Sequence, residues 1–166
     1  MPKKIEILNL RREDFTSVTR EVLGRERALR FRAKGGSMSP FIRNGDIVQV
    51  IPVKGKIHPG DIILYRSPHG GPIIHRVIQR DKESIITKGD SLSKPDQPLL
   101  PKQVLGRVVA VEKNGWHIRL DTRRGKILNI LLATISPFSF LIYPSLTFMK
   151  PVGFLVAPAL HRLSKF

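Results

Sequence analysis

The sequence LGRVVAVEKNGWHIRL, residues 105–120, predicts a β-hairpin. Leu105–Glu112 and Trp116–Leu120 are short runs rich in residue types that favour extended strands. Between them stands Asn114-Gly115, a pair that tolerates the positive φ angles of a tight type I′ turn. This stretch therefore indicates antiparallel β-structure.

Further short runs before the hairpin have the same character. They are rich in valine and isoleucine and are separated by glycine, proline, asparagine and aspartate. Six or seven short strands within about 90 residues predict a mainly β fold, a small coiled antiparallel sheet or partial barrel. The runs are Leu29–Ala33, Asp46–Val53, Asp61–Tyr65, Pro72–Ile78 and Ser84–Lys88.

One amphipathic helix is predicted before the strands. Phe15, Val18, Val22 and Leu23 recur at helical spacing within residues 10–28, with arginine and glutamate between them. We expect this apolar stripe to pack on the β-domain. The predicted organisation is an N-terminal helix in residues 1–28, a β-domain in residues 29–122 and a C-terminal segment in residues 123–166.

The C-terminal segment is hydrophobic and is preceded by basic residues. Residues 127–149 contain no charge and are numerous enough to span a bilayer, but Pro137 and Pro144 interrupt them. Three interpretations stay open: a membrane-surface or re-entrant segment, a membrane span, and an arm that packs on the domain or on a partner. We favour a membrane surface, bound through residues 127–163. The preceding basic residues are Arg119, Arg123, Arg124 and Lys126.

The composition of the 166-residue chain restricts its partners and its chemistry. Lysine and arginine number 29 against 13 acidic residues, and the formal net charge of +16 favours anionic partners, with a solvated basic surface as the alternative. Acidic lipid is preferred to nucleic acid, because no recognition helix, zinc finger or aromatic RNA-binding signature is present. Since there is no cysteine, disulfides, thiolate chemistry and cysteine-based zinc sites are excluded. The histidines lack metal-ligand spacing, so we expect neither a metal nor a cofactor.

The hexapeptide Gly35-Gly36-Ser37-Met38-Ser39-Pro40 is the first candidate for chemistry. A nucleophilic serine needs an exposed hydroxyl and nearby backbone N–H groups to hold an oxyanion. The two glycines let the backbone turn sharply before Ser37, and the proline fixes the chain after it. We expect Gly36, Met38 and Pro40 to contribute to the oxyanion and substrate-binding surface.

A histidine within an apolar strand is the second candidate. Strand alternation in Ile73–Val77 places His75 on an apolar face and Arg76 on the opposite face. A partly desolvated imidazole stays neutral more easily, as a general base must. An acid beside it would hold the imidazole in the right tautomer, and both Asp90 and Asp96 are candidates.

Taken in order, these motifs resemble one superfamily. The chain contains Ser-Met-x-Pro, two Gly-Asp pairs that open strands, Ile-His-Arg-Val and Thr-Lys-Gly-Asp. The set resembles the type-I signal peptidases and LexA-like serine peptidases, the S24/S26 superfamily. Within it, the set looks like the endoplasmic-reticulum and archaeal branch, which uses histidine as the base. The resemblance covers about residues 29–112.

The resemblance implies a role for each matching residue. Ser37 matches the nucleophile, His75 the general base and Asp96 the third member of the triad. Asp90 matches the nearby aspartate of the Gly-Asp motif. The resemblance further implies a cofactor-free serine endopeptidase that binds an extended precursor and cleaves a leader or signal peptide after small residues. Lysine-type relatives carry a hydroxyl where this chain has Gly35, so a backbone donor must serve in its place.

One departure from the family concerns location. Signal peptidases of this kind usually carry an N-terminal anchor, whereas Met1–Ala33 is charged throughout and shows no signal-peptide pattern. The basic residues before the C-terminal segment favour a cytoplasmic catalytic domain. We therefore expect a membrane-associated peptidase that processes a leader peptide or a specific partner, with secretory signal peptidase as the second choice. The alternatives are a non-catalytic peptide-binding module and a self-cleaving LexA-like regulator.

Overall fold

The secondary structure is that of a mainly β protein, which confirms the predicted fold class. The computed structural model describes residues 5–7, 12–68 and 71–135. Its strands are β1 (Ile5–Ile7), β2 (Leu29–Arg32), β3 (Ile47–Ile51), β4 (Ile62–Arg66), β5 (Pro72–Arg80), β6 (Ile85–Lys88), β7 (Val104–Lys113) and β8 (Trp116–Arg119). Its α-helices are α1 (Arg12–Gly24) and α2 (Arg123–Ile135), and a short 3-10 helix, Pro101–Gln103, leads into β7.

β7 organises the sheet because it pairs with three other strands. The strand order is β1-β2-β3-β7-β4-β5-β6, with β8 also paired to β7. One edge of β7 pairs with β3. Along the other edge, Val104–Arg107 pairs with β4 and Ala110–Lys113 pairs with β8. The predicted β7–β8 hairpin is present, and its turn residues Asn114 and Gly115 have φ angles of 48° and 78°.

Apolar side chains cover both faces of the sheet. Along β4, Ile62 and Leu64 belong to one buried cluster, while Ile63 and Tyr65 belong to a second cluster on the opposite face. This alternation extends to β5, whose residues pair in register with those of β4. His75 and Arg76, adjacent polar residues of β5 that lie on opposite faces of the sheet, are therefore both buried.

The N-terminal helix packs on the sheet, as the sequence predicted. Val22 and Leu23 of α1 are buried in the first cluster, and the rings of Phe15 and Phe31 meet edge to face at 4.7 Å. The helix is shorter than residues 10–28, because the chain enters β2 at the fully buried Leu29.

Strand β1 was not predicted from the sequence. It pairs in parallel with β2, and it has only three residues, too few to show a strand pattern. Its existence depends on a neighbour more than twenty residues away in the sequence.

α2 approaches β5 and the turn before β4 closely. Gly60 in that turn has a φ of +95°, and a Cβ at this position would lie 2.9 Å from backbone atoms of Asn129 and Ile130. In the described part of the chain, neither helix has both the length and the apolar character needed to cross a bilayer. Residues 136–166, most of the predicted C-terminal segment, lie outside the described residues, so their membrane association stays a prediction.

The close approach of α2 predicts a difference between two glycine substitutions. Gly55 and Gly60 both have positive φ, but no atom would contact a Cβ at Gly55. We expect Gly55→Ala to lower the free energy of unfolding by about 1 kcal/mol through backbone strain alone. Gly60→Ala should cost about 1–3 kcal/mol more, because its methyl group collides with the α2 backbone. Urea unfolding measures both, and equal losses would contradict the observed packing of α2.

Candidate active site

The loop that carries Ser37 connects β2 to β3 and is closed at its base. The Ala33 amide donates to the Asp46 carbonyl at 2.7 Å, and the Gly45 amide donates to the Ala33 carbonyl at 2.9 Å. Met38 inserts its side chain into the first buried cluster, while Ser37 stays partly exposed. The residue after the serine thus anchors the loop, and the serine hydroxyl faces outward from the core.

Three of the predicted residues form a continuous hydrogen-bonded chain. Ser37 Oγ lies 3.0 Å from His75 Nε2, and His75 Nδ1 lies 2.6 Å from Asp96 Oδ2. Since a carboxylate only accepts hydrogen bonds, the proton resides on Nδ1, and Nε2 accepts from the serine hydroxyl. His75 is only 4% exposed. The arrangement lets the imidazole remove the proton of the serine hydroxyl.

Asp96 is oriented by Thr87 as well as by the histidine. The Thr87 hydroxyl donates to Asp96 Oδ2 at 2.6 Å, and the Asp96 amide donates to the Thr87 carbonyl at 2.8 Å. Burial by itself raises the pKa of Asp96, but the hydrogen bonds from His75 and Thr87 outweigh it and hold that pKa below its usual value. The aspartate is therefore ionised at neutral pH and stabilises a positive charge on the imidazole.

The second aspartate of the prediction, Asp90, lies elsewhere. Its two carboxylate oxygens accept hydrogen bonds from Nε and Nη2 of Arg76, at 2.9 and 2.8 Å. Arg76 follows His75 in β5 and so points to the opposite face of the sheet, where it is fully buried. Asp90 is therefore paired with a buried guanidinium and not with the imidazole.

The turn after β6 supports the backbone of Ser37. The Ser91 amide donates to the Ser37 carbonyl at 2.9 Å, and the single proton of the Ser91 hydroxyl is within reach of the Ser37 carbonyl, at 3.0 Å, and the Gly36 carbonyl, at 2.9 Å. A Cβ on Gly89 would lie 2.6 Å from the Ser37 carbonyl oxygen, so only glycine permits this contact. The turn thereby fixes the position of Ser37 relative to His75.

A buried lysine stabilises the same turn. Lys88 Nζ donates to the carbonyl oxygens of Leu92, at 2.5 Å, and Gly89, at 3.2 Å. Burial lowers the pKa of Lys88, and the negative charges of Asp90 and Asp96 counteract that effect. Lys88 thus stabilises the turn itself, and Ser91 of the same turn contacts the loop that carries Ser37.

The remaining predicted residues of the loop take different positions. Gly36 and Pro40 are exposed, and the Pro40 carbonyl accepts a hydrogen bond from Lys113 Nζ at 2.8 Å. Met38 is buried, so only its backbone is available to a ligand. Within the described residues, the Ser37 amide donates no hydrogen bond to the chain, which leaves it available as an oxyanion donor.

Sequence reasoning missed the residues that support the triad. Thr87 and Lys88 were visible in the Thr-Lys-Gly-Asp motif, but nothing in the motif told which way their side chains point. Ser91 and Tyr65 carried no signal at all. The Tyr65 hydroxyl lies 3.4 Å from His75 Nδ1, and burial raises the pKa of Tyr65 so that the phenol stays protonated.

No cluster of side chains suited to hold a metal ion occurs among the residues that the structure describes.

A serine–histidine–aspartate chain on a mainly β fold defines the class as serine peptidase. Residues 3–109 match the family model described as Peptidase S24-like, and this range includes Ser37, His75 and Asp96. The chain belongs to the Peptidase S24-like family, which confirms the predicted superfamily. Its assignment to the branch with a histidine base stays a prediction. No curated protein matches the chain.

The different surroundings of the two aspartates predict different effects on stability. Asp90→Asn leaves the buried guanidinium of Arg76 without a counter-charge, and we expect it to lower the free energy of unfolding by about 3–5 kcal/mol. Asp96 is partly exposed and an amide oxygen still accepts from Thr87, so Asp96→Asn should cost about 1 kcal/mol. Denaturant unfolding at neutral pH compares the two variants. An equal loss of unfolding free energy in the two variants would contradict the expected stabilisation by the Arg76–Asp90 ion pair.

The hydrogen bond from Thr87 predicts a change in acid stability. Because the folded pKa of Asp96 is depressed, its contribution to stability is complete above the unfolded pKa and disappears as pH falls through the folded pKa. Thr87→Val removes one cause of the depression. The carboxyl pKa measured by NMR should rise, and the acid-unfolding midpoint should move to higher pH. Thr87→Ser keeps the hydroxyl and serves as the control, so an identical shift in both variants would contradict this role.

Proposed function

We propose that the protein is a serine endopeptidase of signal-peptidase type, which cleaves a leader or signal peptide after small residues. The observation that carries the proposal is the 3.0 Å contact between Ser37 Oγ and His75 Nε2, continued at 2.6 Å to Asp96. This geometry supports nucleophilic attack with general-base assistance. Family membership supports peptide as the substrate.

In the proposed reaction, Ser37 Oγ attacks the scissile carbonyl while His75 Nε2 takes its proton. The Ser37 amide donates to the oxyanion of the tetrahedral intermediate. The imidazolium, stabilised by ionised Asp96, then protonates the leaving amine, and an ester of Ser37 remains. Water, deprotonated by the same imidazole, hydrolyses this acyl-enzyme and restores the serine. Proton transfer requires only groups of the chain itself.

The edge of β5 favours an extended substrate. β6 pairs with β5 only from Arg76 onward, so on this side the stretch from Pro72 to Ile74 has no partner strand among the described residues. This free stretch runs up to His75, which contacts Ser37. A peptide that adds to it as a strand would bring its main chain past the nucleophile, with main-chain hydrogen bonds supplying affinity.

The preference for small residues next to the cut comes from the family resemblance. The same resemblance, together with the basic residues before the C-terminal segment, supports a leader peptide or a specific partner as the substrate. An exported precursor is the second choice.

The activity is tested with the purified full chain, a peptide library and mass spectrometry of the new termini. We expect cleavage after alanine, glycine or serine, and a loss of kcat/KM of about 10⁴–10⁶-fold in Ser37→Ala and about 10⁴-fold in Asp96→Asn. Ser39→Ala is the matched control, because this serine lies in the same loop but outside the hydrogen-bonded chain, and it should retain activity. Comparison of cellular termini between wild type and Ser37→Ala then identifies the substrate.

Other outcomes separate the remaining functions. A purified chain that shortens on standing, unless Ser37 is replaced, would indicate a self-cleaving regulator. Binding of library peptides without cleavage, unchanged in Ser37→Ala, would contradict the peptidase and support a peptide-binding module.

A further inference from the structure

The outer face of α2 is an exposed apolar stripe. Ile127, Ile130 and Leu131 are 60%, 54% and 54% exposed. Their spacing of three and four residues places them side by side on consecutive turns of the helix. They account for half of the six large hydrophobic side chains that are exposed in the described part of the chain. The stripe is therefore a local feature of α2 and not a general property of the surface.

The opposite face of α2 is held by the domain. Asn129 is buried, and its Oδ1 accepts a hydrogen bond from Arg76 Nη1 at 2.9 Å. The backbone of α2 also lies directly against Gly60. Because this polar contact and this close approach set the rotation of the helix, the apolar stripe cannot turn inward to join the core.

All charged residues of α2 are basic and lie at its start. The helix sequence, RRGKILNILLATI, contains no aspartate or glutamate. Arg123 and Lys126 are exposed within one turn of Ile127. The helix thus presents apolar side chains beside positive charges, the combination found in helices that lie in a membrane interface.

We propose that this face of α2 binds the surface of an anionic phospholipid bilayer. Ile127, Ile130 and Leu131 would enter the boundary between headgroups and acyl chains, and Arg123 and Lys126 would contact lipid phosphates. The proposal does not depend on the peptidase activity.

The charges favour lipid over the other possible occupants. A second copy docked through the same face would offer Arg123 and Lys126 no negative charge, because α2 contains no acidic residue. The chain's own residues 136–166 contain lysine and arginine but no acidic residue, so they supply no counter-charge either. An anionic bilayer supplies both the negative charge and the apolar layer.

The test is sedimentation of the full chain with vesicles. We expect binding to vesicles of phosphatidylglycerol mixed with phosphatidylcholine, and much weaker binding to phosphatidylcholine alone. The double variant Ile130→Glu/Leu131→Glu should lower the partition coefficient more than about tenfold. Arg123→Gln/Lys126→Gln should lower it roughly tenfold or more and reduce its dependence on salt. The substituted side chains are exposed, and urea unfolding checks that each variant is folded.

Leu100→Glu is the matched control, because Leu100 is 47% exposed and lies outside α2. It should bind vesicles within about twofold of the unaltered chain. Equal loss in this control, or full binding by Ile130→Glu/Leu131→Glu, would overturn the proposal. A different result would also overturn it: the unaltered chain is a dimer by light scattering and does not bind anionic vesicles, and Ile130→Glu/Leu131→Glu is a monomer.

Discussion

The buried ion pair between Arg76 and Asp90 connects parts of the chain that are distant in sequence. A guanidinium with no exposed surface is costly unless its donors are satisfied, and here Asp90, the Gly60 carbonyl and Asn129 accept from it. Its Cζ also lies 5.1 Å from the ring centroid of Phe41, in the loop that carries Ser37. The strand that carries His75, the turn that contacts the Ser37 backbone and the helix α2 are thus held around one side chain.

The register of β5 places His75 and Arg76, which are neighbours in the sequence, on opposite faces of the sheet. His75 faces the cluster that contains Tyr65 and Val77, whereas Arg76 faces the other side of the sheet. A slip of one residue in the pairing with β4 would exchange the two side chains and remove both the imidazole from Ser37 and the guanidinium from Asp90. The chemistry and the stability of the site therefore depend on the same set of backbone hydrogen bonds.

Local patterns sufficed to predict strands β2 to β8, the hairpin turn at Asn114-Gly115, the helix α1 and the serine and histidine that come together. Each of these features is encoded in a few adjacent residues, through β-branched runs, turn residues or helical spacing. The residues alone left open whether Asp90 or Asp96 faces His75, because that choice depends on the path of the turn after β6. The parallel strand β1 and the contacts of Ser91 depend on partners far away in the sequence, which no local pattern records.

The loop that supplies Asp96 also covers the outer edge of β6. Ile85 and Leu99 exchange backbone hydrogen bonds at 2.9 and 2.8 Å, and the Asp96 amide bonds to the Thr87 carbonyl. An uncovered strand edge is a template on which chains aggregate. The same loop therefore protects a basic, cysteine-free protein from self-association at this edge, and damage to the loop would reduce solubility together with activity.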